Sequence, residues 1–91
     1  MEIIVEDVFF LSQNGIVSFA VSVDPPAYEL KKGWYYLIIK GVPVEKFWTE
    51  GEDYLFPFNA SFRSISTKEF DKVKAHPFGE DVWTLVPVDK S

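Results

Sequence analysis

Cysteine is absent from the chain, which excludes disulfides and thiolate metal sites and leaves stability to packing. Histidine occurs once, at His76, and arginine once, at Arg63. A single imidazole leaves no histidine cluster with the ligand spacing of a zinc site. No apolar run approaches the roughly twenty residues of a membrane span. The opening "MEIIVEDVFFL" is apolar, but Glu2, Glu6 and Asp7 interrupt it and no basic residue precedes it, so it lacks the form of a secretory leader. A cytoplasmic address is the expectation. Positive charge is also scarce: fourteen acids stand against nine bases, for a net charge of −5. Phosphate neutralisation supplies most nucleic-acid affinity, so this balance disfavours RNA or DNA and favours basic partners.

What is present is apolar and aromatic. Of 91 residues, 47% are hydrophobic and 18% aromatic, enough for one compact domain over residues 1–91 and unlike a disordered chain. Helical periodicity is missing outside "TKEFDKVKAH", where one turn of helix is expected before Pro77. Strand signals dominate instead. Val5 to Leu11 and Ile16 to Val23 flank Asn14-Gly15, a dipeptide suited to a two-residue type I′ turn. That turn predicts Gln13 opposite Ile16, Phe10 opposite Phe19 and Val8 opposite Val21. Val8, Phe10, Val17, Phe19 and Val21 then share the core face.

"DPPAYELKKG" breaks the pattern, because Pro25 and Pro26 cannot donate ladder hydrogen bonds. Trp34 to Lys40 is the third strand, ended by Gly41 and Pro43. "VEKFWTEGEDYLFPF" predicts a second hairpin turning at Glu50-Gly51, with Tyr54, Phe56 and Phe58 on one face of its return strand. Ser61 to Thr67 and Asp81 to Val88 complete the set. In "KVKAHPFGEDVWTL", Gly79 is expected as the hinge into the last strand, with Val82 and Leu85 in the core. The sum is an all-β fold, a small six- to seven-stranded antiparallel β-barrel. An exposed third strand would offer an edge for pairing with a second copy.

The punctuation resembles the second-domain barrel of translational GTPases, the module of elongation factor Tu and its relatives. "VEDVFFLSQNGIVSFAVSV" is similar to that module's opening hairpin, and "YELKKGWYYLII" to its entry into the third strand. In "FRSISTKEFDKVKAHPFGEDVWTLV", Ser64-Ile65, Ala75, Gly79, Glu80 or Asp81, Val82 and Leu85 occupy the family's places. The resemblance implies a translation-protein-barrel-like topology. Phe19 or Ala20 stands where the family has a second glycine, and the arginine-bearing hairpin tip is missing. The GTPase domain that precedes the barrel in that family is not expected in this sequence, so the resemblance does not imply nucleotide hydrolysis.

Several residue groups invite a functional reading. His76 with Glu80 and Asp81 could form an acid–base pair, but no nucleophile completes it; a surface corner is the simpler assignment. No catalytic, cofactor or metal residues are expected. Glu50, Glu52 and Asp53 lack the loop pattern of a calcium site and instead suit docking of a basic protein. With Trp48 and Tyr54 they form the expected interaction set. The aromatics Trp34, Tyr35, Tyr36, Phe47, Trp48, Tyr54, Phe56 and Phe58 divide between core and interface. Lys31-Lys32 and the set Lys68, Lys72 and Lys74 are the only basic clusters, and the latter would carry any RNA contact. The expected function is a non-enzymatic, stand-alone barrel that binds another protein. The alternatives are a translation-related barrel on RNA or the ribosome, and a small acidic immunity-type inhibitor of a basic enzyme.

Overall fold

The structure, a computed structural model, describes residues 1–53 and 62–88. Six strands and one short helix follow in the order β1 (Glu2–Leu11), β2 (Ile16–Asp24), β3 (Gly33–Ile39), β4 (Val42–Asp53), β5 (Arg63–Thr67), α1 (Phe70–Lys74) and β6 (Trp83–Pro87). They close into an antiparallel barrel with strand order β1-β2-β5-β4-β3-β6. The neighbours β6-β3-β4-β5 form a Greek key: three consecutive strands, with the fourth returning beside the first. Strand pairing joins β3 to both β4 and β6. The third strand therefore has no free edge, and edge-to-edge pairing with a second copy through it is ruled out.

Alternation decides the interior. Val17, Phe19, Val21 and Val23 point inward from β2, with Ile3 and Val5 from β1, Tyr35 and Leu37 from β3, Phe47 from β4, Ile65 from β5, and Trp83 and Leu85 from β6. Two connections plug the ends. The strap between β2 and β3 inserts Leu30 and lays Tyr28 against the core, while the corner around α1 inserts Val73 and packs Phe70 and Phe78. Phe78 meets Trp83 edge-on at 5.1 Å, and Phe19 and Phe47 lie 5.4 Å apart at the centre.

The first hairpin forms, but with a different turn. Leu11 pairs with Ile16, leaving the four-residue loop Ser12 to Gly15, closed by Asn14 N–H to Leu11 O at 3.0 Å. Phe10 faces Val17 and Val8 faces Phe19, a shift of two residues from the expected register. A two-residue shift preserves side-chain parity, so Val17, Phe19 and Val21 keep the core face, but Val8 is only partly buried and Phe10, expected in the core, is exposed. An extra residue, Glu6, bulges between Val5 and Asp7 and keeps Ile3 and Val5 on that same face. Phe10 runs past the rim and stacks edge-on against Phe70 at 5.6 Å.

The expected hairpin at Glu50-Gly51 does not exist. Val42 to Asp53 is one strand, and the turn lies at Lys40-Gly41, both with positive φ. Gly51 is instead part of a bulge between Thr49 and Glu52, at φ +100°. A Cβ there would stand 3.1 Å from Lys32 N and 3.2 Å from Leu30 O, because the strap crosses at that point. Glu52 N–H donates to Leu30 O at 3.1 Å. The glycine that reads as a turn is a close approach of two backbones. The strand expected through Tyr54, Phe56 and Phe58 lies outside the described residues.

At the last strand, Gly79 takes φ +113° as expected, and Leu85 is buried. Val82 is not in the core: it is 68% exposed and precedes the strand, whereas Trp83 is fully buried. Trp83 and Leu85 share parity, and the larger ring occupies the interior. Among the described residues no helix is long and apolar enough to cross a membrane.

Candidate binding cleft

The β4 strand changes partner midway. Its first part pairs with β3, from Val42–Ile39 to Thr49–Gly33, and its second part with β5, from Thr49–Thr67 to Asp53–Ser64. Between Thr49 and Glu52 a bulge interrupts the ladder to β5, and beyond Thr67 the chain turns away into α1. Side chains replace the lost ladder. Trp48 N–H donates to Glu69 Oε2 at 2.5 Å, Thr67 Oγ1–H to Trp48 O at 2.6 Å, and Thr49 Oγ1–H to Ser66 O. The divergence opens a cleft of about 230 Å³, walled by Ile16, Trp48, Glu50, Ser66, Lys68 and Glu69. A second recess of about 560 Å³, between the first hairpin tip (Ser12, Gly15) and α1 (Phe70, Lys72), shares Lys68 and Glu69 with it.

Trp48 is the aromatic wall. Its indole Nε1–H donates to Glu50 Oε2 at 3.0 Å, which fixes the ring and the carboxylate together. Behind it, Trp34 packs edge-on at 5.6 Å. Two of the protein's own ammonium groups lie over Trp34, Lys46 at 5.3 Å and Lys72 at 5.9 Å from the ring centroid.

The carboxylates at the cleft are not equivalent. Glu69 pairs with Lys72 at 2.8 Å. Burial opposes its ionisation, but the hydrogen bonds from Lys72 and Trp48 outweigh that and hold the carboxyl below its ordinary range. Glu52 is held low chiefly by its hydrogen bond from Arg63. Asp53 accepts from Ser64 Oγ–H at 2.6 Å, and the Ser64 and Ser18 hydroxyls lie 3.1 Å apart. Glu50 is exposed and, among the described residues, has no cation within ion-pair distance.

The expected interaction set is therefore partly gathered. Trp48, Glu50, Glu52 and Asp53 all line the cleft, although as part of a strand corner rather than a hairpin tip. Glu52 is turned to a structural partner. Tyr54 lies outside the described residues. Of the expected basic set, only Lys68 lines this cleft. Lys72 is tied to Glu69 and donates to Lys46 O at 3.0 Å, while Lys74 sits over Phe10 at 5.2 Å and Phe70 at 5.6 Å. Lys68 and Lys72 both line the second recess, but Lys72 is ion-paired there, and Lys74 sits apart on Phe10 and Phe70.

Ile16, Ser66 and Glu69 were not legible as site residues. Glu69 lies 21 positions from Trp48, and only the partner change of β4 brings them together. His76 has a carboxylate partner, but it is Glu45 on β4, with Nε2 and Oε2 3.1 Å apart. Glu80 and Asp81 are not that partner; Asp81 lies 3.8 Å from Lys40. The pair ties the corner after α1 to β4, and no nucleophile is among its hydrogen-bond partners.

No protein-family model matches the chain, and no curated protein and no solved structure matches it.

Proposed function

We propose that this barrel is a non-enzymatic binding module whose cleft beside Trp48 receives a segment of another protein. The observation that carries the proposal is the partner change of β4. It sets an indole, the apolar side chain of Ile16 and the carboxylate of Glu50, which has no ion-pair partner among the described residues, along one cleft. Tryptophan is enriched at the energetic centres of protein interfaces because it offers a large rigid face with one polar edge. The two adjoining recesses supply length, which suits an extended segment better than a compact small molecule. The net charge of −5 favours a basic partner by steering. An acidic inhibitor seated on a basic enzyme is one form of this reading. Protein is favoured over RNA because Lys72 is already ion-paired with Glu69 and Lys74 is seated on Phe10 and Phe70, whereas phosphate binding draws on available cations. The resemblance to translational second-domain barrels makes a ribosome-associated protein a partner to look for.

Affinity capture from host lysate tests this when wild type is compared with Trp48→Ala and with Val82→Ala, a control at an exposed residue ahead of β6 that does not line the cleft. The expected result is a protein retained by wild type and Val82→Ala and lost by Trp48→Ala. Capture of RNA alone, no captured protein, or capture indifferent to Trp48 would overturn the proposal.

A further inference from the structure

We infer that the cleft anchors its partner by an arginine side chain laid on the Trp48 indole, with its charge facing Glu50; the inference rests on the protein-binding reading above and names its recognition element. Three observations support it. The first is the fixed pairing of indole and carboxylate, joined edge to edge by the 3.0 Å hydrogen bond from Nε1 to Oε2. That bond directs the positive edge of the indole at Glu50, while the ring lines the cleft. A cation there meets the ring quadrupole and the carboxylate field together.

The second is the charge balance of the walls. Glu52 is neutralised by Arg63 at 2.7 Å and Glu69 by Lys72 at 2.8 Å. Asp53 is held in a hydrogen bond from Ser64. Glu50 carries its charge to the exposed rim. Lys68, on the opposite side, is exposed and, among the described residues, makes no ion pair. Its charge competes with an incoming cation from a distance but does not occupy the ring.

The third is the neighbouring ring. Trp34 already holds Lys46 and Lys72 over its face, so cations settle on indoles at this corner of the barrel. Trp48, standing at 75° to Trp34, has no cation over it among the described residues. Guanidinium fits this place better than ammonium. It is flat, more weakly hydrated, and can stack on the indole while its N–H fork turns to a carboxylate.

The test uses the full chain and two probes: a short acetylated peptide with one arginine among alanines, and the same peptide with citrulline, which keeps the shape and removes the charge. The Trp48 indole N–H is followed in nitrogen–proton correlation spectra, its resonance assigned with Trp48→Phe. The arginine peptide is expected to shift that resonance saturably and to bind about tenfold more tightly than the citrulline peptide, the combined scale of one cation–π contact and one exposed ion pair. Glu50→Gln should cut most of that preference while leaving the other resonances in place, and Lys68→Ala should tighten arginine binding. Equal binding of both peptides overturns the inference, as does an arginine peptide that moves Trp34 and not Trp48. If neither peptide moves Trp48, the arginine anchor is overturned as well, and Trp48-dependent capture then still supports the wider reading. Peptides that fail together with Trp48-indifferent capture overturn both.

Discussion

Glu52 and the single arginine, Arg63, clasp each other across β4 and β5 in a two-pronged pair, Nε to Oε2 at 2.8 Å and Nη2 to Oε1 at 2.7 Å. Arg63 Nη1–H also donates to Pro26 O at 2.9 Å, so the same guanidinium fastens the strap between β2 and β3. Three segments distant in sequence meet on one side chain. Both members are more than three-quarters buried, which places the pair between a surface ion pair and a core one.

Glu52→Gln should therefore cost about 1–2 kcal/mol, above the surface median and below the loss from a fully buried pair. The sign with pH follows from the lowered carboxyl of Glu52. Its contribution is complete above the unfolded carboxylate range, about pH 4, and fades as pH falls through the lower folded value. Denaturant melts of wild type and variant should differ at neutral pH and converge in strong acid. A constant difference at every pH would reject the assignment.

Gly51→Ala should be the most damaging alanine among the glycines. It combines φ +100° with a Cβ pressed to 3.1 Å from the backbone of Lys32, which cannot yield as a flexible side chain can. Gly41, at φ +75°, has open space around it. About 1 kcal/mol is expected for Gly41→Ala from backbone strain alone, and at least about 2 kcal/mol for Gly51→Ala. Thermal or denaturant unfolding of the two variants compares them directly; equal losses would mean that the strap does not press on the bulge.

Alkaline stability should be limited by Tyr35. Burial pushes its phenol up to about 12, with Tyr28 adding a smaller push, and its hydroxyl donates to Lys31 O at 2.8 Å. A phenol raised in the folded state favours folding below its unfolded value, about 10, and that contribution is lost as pH rises from there through about 12. Tyr35→Phe should lose about 1 kcal/mol at neutral pH, the scale of one hydrogen bond. The variant should then hold its stability further into alkali than wild type. Circular dichroism melts from neutral to strongly alkaline pH check this; parallel decline of both proteins would contradict it.

His76→Ala should leave peptide binding at the cleft unchanged and cost at most about 1 kcal/mol, because the Glu45 contact is partly exposed. Loss of binding in a variant that unfolds like wild type would move the functional site to the α1 corner.

The sequence by itself determined the fold class and the parity of the first hairpin. These depend on alternation, which a β-branched and aromatic strand such as β2 writes plainly. It also marked Trp48, Glu50, Glu52, Asp53 and Tyr54 as an interaction set and Lys68, Lys72 and Lys74 as a basic one, of which Trp48, Glu50, Glu52, Asp53 and Lys68 line the cleft. Tertiary structure decided the rest. Asn14-Gly15 reads as a two-residue turn, yet the loop has four residues, since local dihedral preference yields to the register that the barrel imposes through Val5 and Glu6. Gly51 reads as a hairpin because a positive-φ glycine looks the same in a turn and in a bulge under a crossing strap. Val82 reads as a core residue beside Leu85, yet only Trp83 shares the parity of Leu85 on β6, so Trp83 is buried and Val82 is exposed. The cleft exists only because a closed barrel of these strands makes β4 leave β3 for β5, and no run of residues announces where a strand will change its partner.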